Sequence, residues 1–96
     1  MLNIVAHHQL KDGLADKYIQ LMKAVMENSR KEDGCVSYKF YRHKRDENAF
    51  VMLEQWADKQ ALGAHGTSEF FLEKMKEVEL LLAKPGELGI YSEIEV

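Results

Sequence analysis

Cysteine and proline each occur once in this chain, at Cys35 and Pro85, and no apolar run extends beyond a few residues. A lone cysteine excludes a disulfide framework and a cysteine-based zinc site, and it fits a reducing compartment. The apolar runs fall far short of the ~20 residues that a membrane-spanning helix needs, so a cytoplasmic protein without a membrane partner is expected. Charge of one sign is also lacking. Thirteen Lys and Arg against sixteen Asp and Glu give a net charge of −3 with the signs mixed along the chain, which leaves no extended positive field for nucleic acid. The one basic cluster, Arg42 to Arg45, runs directly into Asp46 and Glu47 and reads as a solvated hairpin loop. Glycine is sparse as well: neither "DGL" nor "PGELG" has the G-x-G-x-x-G pattern that cradles a phosphate, so no nucleotide cofactor is indicated.

What is present is a globular composition, 46% hydrophobic and 30% charged over 96 residues, the size of one domain spanning 1–96. "LNIVAHHQL" predicts a first strand closed by the turn "KDG". Leu14, Tyr18, Leu21, Met22, Val25 and Ser29 then recur at helical spacing, with Gly34 placed to cap that helix. "CVSYKFY" and "AFVMLEQW" alternate and form a hairpin. Asp58 caps a short helix ending at Gly66, and Thr67 or Ser68 caps a longer one carrying Phe70, Phe71, Met75, Val78, Leu81 and Leu82. The tail "IYSEIEV" supplies the last strand. This order predicts an α+β fold, a ferredoxin-like split βαβ with an antiparallel sheet and helices on one face.

One feature of the third strand bears on assembly. Phe50, Met52, Glu54 and Trp56 share one face while Val51 and Leu53 share the other; in the second strand Val36, Tyr38 and Phe40 oppose Cys35, Ser37 and Tyr41. A sheet apolar on both faces needs a second cover, and a homodimer with facing sheets supplies it.

The stretch from Glu32 to Phe71, with its E-x-G-C turn, aromatic strand, E-x-W strand end and His65 before a small-polar-phenylalanine segment, resembles the core of the antibiotic biosynthesis monooxygenase family. The resemblance implies a dimeric α+β barrel. It also implies one of several activities: oxygenation of quinols or polyketide phenols without metal or flavin, isomerisation of small sugar-like signals, or haem degradation. The haem-degrading members carry Trp where this chain has His65, His where it has Met75, and Asn near the pair His7 and His8. Those departures turn the expectation from haem to a small aromatic or quinol substrate and O2, with no bound cofactor. The alternatives are an isomerase of the same family and a non-catalytic ligand-binding dimer.

The resemblance makes His65 the leading catalytic candidate, because an imidazole titrating near neutrality takes a phenolic proton and returns it. Glu54 shares a face with Trp56 and would orient His65 or raise its basicity. Trp56 would stack on a planar ring, Tyr38 and Phe40 would shape the pocket, and Met52 would line it; each is equally suited to plain core packing. His7 and His8 fall on opposite faces of the first strand, so only one of the two reaches the pocket; both stay open, with His7 counted among the substrate-binding candidates. No three ligands have metal spacing, since Gly66 and Thr67 separate His65 from Glu69.

Overall fold

Alternation in the first strand decides which way the whole sheet faces. In the computed structural model, which describes residues 1–96, Ile4 and Ala6 of β1 (Leu2–Gln9) are buried while His7 is exposed. The helix α1 (Ala15–Ser29) lays Tyr18, Met22, Val25 and Ser29 onto that buried side, the i, i+4, i+7 stripe of an amphipathic helix. Ser29 is a polar group in the core, and its hydroxyl donates to Val25 O at 2.6 Å, which removes the cost of an unpaired buried donor.

Strands β2 (Cys35–Arg42) and β3 (Ala49–Trp56) form the hairpin, α2 (Lys59–Thr67) and α3 (Glu69–Glu79) follow, and β4 (Glu87–Tyr91) closes the sheet. All pairings are antiparallel in the order β2-β3-β1-β4, the ferredoxin-like α+β arrangement that the element order predicts. Asp58 Oδ1 accepts from Ala61 N at 2.8 Å and Ser68 Oγ from Phe71 N at 3.2 Å, so both helix starts carry side-chain caps. The loop from His43 to Glu47 between β2 and β3 is largely exposed.

Four local expectations change. Helix α1 stops at Arg30, before the predicted Gly34 cap, because Lys31 N and Glu32 N turn back onto Asn28 O and Ser29 O. Gly34 serves the next turn instead: its φ is +83°, and a Cβ there would collide with Ala61 Cβ. A bulge lies between Cys35 and Ser37, with Cys35 opposite Trp56 and Ser37 opposite Gln55, so Val36 is the extra residue and is 53% exposed. Cys35 accordingly packs with the core rather than away from it. The last strand is "ELGIY", not "IYSEIEV", because Ile90 pairs with Ile4 and Tyr91 with Asn3; only Leu2 of β1 lies beyond, and the alternating residues 92–96 have no ladder to join. Finally, Leu81 and Leu82 lie past the end of α3, where Leu82 bridges to Leu10 and Lys11 N donates to Leu81 O at 2.9 Å.

The core lies between the helices and the sheet face of Ile4, Ala6, Tyr38, Phe50, Met52 and Trp56. Trp56 and Tyr18 are fully buried. On the opposite face Val5 and Val51 are half-buried, while Tyr41 and Leu53 are 47% and 42% exposed. No helix is long and apolar enough to cross a membrane.

Candidate active-site cavity

Helix α3 does not close completely over the sheet. Between them lies a cavity of about 230 Å³. Its floor is Ala6, His8, Tyr38, Met52 and Glu54 of the sheet, α1 adds Met22, and α3 adds Phe71, Met75, Val78 and Glu79. Leu82 and the segment Gly86 to Leu88 form the remaining wall. An apolar chamber with few polar groups is the usual form of a small-molecule site.

Three polar side chains face it from the sheet, and each has a distinct support. Glu54 is 6% exposed. Its Oε1 accepts from Trp56 Nε1 at 3.0 Å, and the Tyr38 hydroxyl lies close to the same carboxyl. Burial pushes the Glu54 carboxyl above the ordinary carboxylate range, against the opposing effects of the Trp56 N–H, nearby His65 and the Tyr38 hydroxyl. The Tyr38 phenol is pushed up by burial and then by Glu54, so it stays protonated and can donate.

His8 is the third. Its Nδ1 lies 2.7 Å from Tyr18 Oη, which is also 3.5 Å from Met52 Sδ. Burial, and then the neighbouring His7, lower the His8 pKa to about 4, so the ring is neutral at physiological pH. Gly86 passes directly beside it: a Cβ there would lie 3.0 Å from His8 Cδ2 and would press the ring aside by a few tenths of an ångström.

The sequence-predicted residues divide in this geometry. Tyr38, Met52 and Glu54 line the cavity together. Trp56 sits behind them and reaches the cavity only through its N–H on Glu54. Phe40 packs instead on Phe50, with ring centroids 6.2 Å apart, and does not line the chamber. His7 shares the odd-numbered face of β1 with Val5 and is exposed, while His8 has the parity of Ile4 and Ala6 and points inward. The imidazole that the cavity receives is therefore His8 rather than the candidate His7.

His65 also departs from expectation. It is 3% exposed and lies outside the cavity wall, packed in tilted contact with Trp56 at 4.5 Å and Phe71 at 4.3 Å between ring centroids. Its Nδ1 is 2.8 Å from Glu32 Oε1, not from Glu54, and its Nε2 is buried without a partner. The physical reason is its place in the last turn of α2, which faces the turn after α1 rather than the sheet floor. The result is a chain of contacts, Glu32 to His65 to Trp56 to Glu54, that ends at the cavity. Sequence reasoning left His8 open against His7 and missed Phe71, Met75 and Glu79 as lining groups. The parity of β1 carried the signal for His8; the others depend on how α3 is set over the sheet. No three His, Cys, Asp or Glu side chains converge as a metal site would require.

With this geometry in view, the comparisons with known proteins bear on what the cavity belongs to. The family model described as antibiotic biosynthesis monooxygenase matches residues 1–77. The chain is 34% identical over 88 residues to the protein sll1783 of Synechocystis sp. (strain ATCC 27184 / PCC 6803 / Kazusa), covering 92% of this chain and 60% of that protein's length. It is 27% identical over 85 residues to the monooxygenase candidate YcnE of Bacillus subtilis (strain 168), covering 88% of this chain and 90% of that one. Among solved structures, a conserved protein from Methanosarcina mazei Go1 superposes with a TM-score of 0.93 at 30% identity, covering 97% of this chain and 92% of that chain. The match over most of its length shows that this chain belongs to the antibiotic biosynthesis monooxygenase family.

Proposed function

We propose that the protein is a monooxygenase of small phenols or quinols, with the substrate ring held in the cavity and O2 reduced by the substrate itself. The observation that carries this reading is Glu54: a buried carboxyl with its pKa pushed up, fixed by Trp56 at the wall of an apolar chamber. A carboxylate made more basic by burial takes the phenolic proton, and the resulting anion is electron-rich enough to give electrons to O2. The ring carbon gains one oxygen atom. The second oxygen leaves as water with that carbon's hydrogen and the hydroxyl hydrogen, so phenol plus O2 becomes quinone plus water and no external reductant is consumed. Tyr38 donates to a substrate oxygen, and the apolar walls from Met22, Met52, Phe71 and Met75 keep bulk water from the anion. His65 acts in this reading as a positioning residue, holding Trp56 and through it Glu54.

The exposed apolar face with Val5, Tyr41, Val51 and Leu53 supports a homodimer with sheets facing each other. The single half-buried Cys35, with no second cysteine to pair with, fits work in the cytoplasm.

Oxygen uptake with a panel of hydroquinones and naphthols tests the reading, corrected for autoxidation. Uptake above the no-enzyme control should fall about 100-fold in Glu54→Gln, the scale of a lost general base. In His65→Ala it should fall less and keep the pH profile of the native protein. Uptake equal to the control throughout refutes oxygenation. Exchange of a hydroxy-ketone's α-hydrogens with solvent deuterium would then identify an isomerase, and ligand-induced stabilisation alone would identify a receptor.

A further inference from the structure

The charges around the cavity all have one sign. Glu54 faces it from the floor and Glu79 from the end of α3, while neither Lys nor Arg lines it; Glu87 meets it only along the chain, because its side chain shares the other sheet face with its partner His7. Lys84 lines the adjoining hollow instead, together with Glu87, His7 and one side of His8. His8, the one lining group that could become cationic, is held in a setting that disfavours its charged form, beside Tyr18 and under Gly86. A chamber walled by apolar side chains transmits such charges more strongly than open water does.

We propose that the cavity selects aromatic ligands by charge: it admits uncharged or cationic rings and turns away rings bearing carboxylate, sulfonate or phosphate, with Glu79 as the discriminating residue at its mouth and Glu54 within it. The inference rests on the reading of this cavity as the ligand site and goes further in naming the class of ring it takes. Glu79 is exposed, so part of its repulsion is screened by salt, and the discrimination should weaken as ionic strength rises. Phosphorylated sugars fall on the excluded side, which sets this chain's ligand apart from an anionic metabolite.

A matched pair of probes isolates the charge: 1-hydroxy-2-naphthamide and 1-hydroxy-2-naphthoate have the same ring and nearly the same shape. Binding of each to the native protein, read by calorimetry or by quenching of Trp56 at low salt, should favour the amide by about tenfold, as juxtaposed like charges at a low-dielectric site imply. In Glu79→Gln, whose substitution lies on the surface and whose folding is checked by thermal melting, the preference should shrink at least threefold. Equal or tighter binding of the carboxylate, a preference unchanged in the Glu79→Gln variant, or failure of both probes to bind at millimolar concentration would each overturn the inference. Because only binding is read, a protein that favours the amide and never consumes oxygen would refute the oxygenase reading and leave this one standing. Oxygen consumption with equal KM for the two probes would do the reverse.

Discussion

Acidification should destabilise this protein through His8, and the size of the effect follows from its setting. The ring lies under Gly86 with Nδ1 against Tyr18 Oη, and its pKa is lowered from 6.5 to about 4. Between those values the unfolded chain takes up a proton that the folded chain refuses. Stability from this group is therefore complete above about pH 6.5 and is lost as the pH falls through about 4. At about 1.4 kcal/mol for each tenfold change in proton affinity, the ceiling is about 3.4 kcal/mol. His8 is only partly buried, and solvent screening brings the expected loss to ~2 kcal/mol. The assay is denaturant unfolding of native protein and His8→Gln at a series of pH values. Subtraction removes contributions common to both, among them Glu54, which acts with the opposite sign. Native protein should lose ~2 kcal/mol more than the variant between neutral pH and pH 4, and the His8 ring should titrate by NMR near 4. Parallel stability curves with a ring midpoint near 6.5 would refute the reasoning.

Three further outcomes are expected. Glu54→Gln should raise the melting temperature at pH 8, with the gain closing as the pH falls, because a carboxyl whose pKa is raised by burial costs stability above its folded pKa; an unchanged or lowered melting temperature at pH 8 would contradict this. Gly34→Ala should cost about 2 kcal/mol by chemical denaturation, from its φ of +83° and the collision with Ala61 Cβ. Ala61→Gly in the same chain should recover the steric part only, and a cost below about 0.5 kcal/mol for the single change would show that the turn relaxes. Leu53→Lys on the exposed sheet face should halve the mass measured by light scattering, and native protein that is already monomeric would exclude the facing-sheet dimer.

Much of the fold was legible because its signals are local. Asp58 and Ser68 announce helix starts in the residue itself, and the alternation of Phe50, Met52, Glu54 and Trp56 fixed the inner face of β3. What escaped depends on partners distant along the chain. The tail 92–96 alternates as well as β4 does, and only the length of β1 shows where pairing stops. The Val36 bulge has no mark in its own sequence and appears only as a slipped register against β3. Of the candidate site, Glu54, Tyr38 and Met52 were readable from strand parity. The inward histidine required choosing between adjacent residues, and the partner of His65, Glu32, lies 33 residues away across a turn.

The cavity is made from opposite ends of the amino-acid order: Ala6 and His8 come from β1, and Leu82 and Gly86 to Leu88 come from the approach to β4. Strand β1 must hold a place between β3 and β4, both far from it along the chain. Loop closure over such distances is slow relative to helix or hairpin formation. A growing polypeptide thus carries the hairpin and α1 well before it owns a chamber, and the binding site is among the last things to exist. Ligand capture then reports on the docking of β4, so amide hydrogens at the β1–β4 seam should be the ones whose exchange a bound ring slows most.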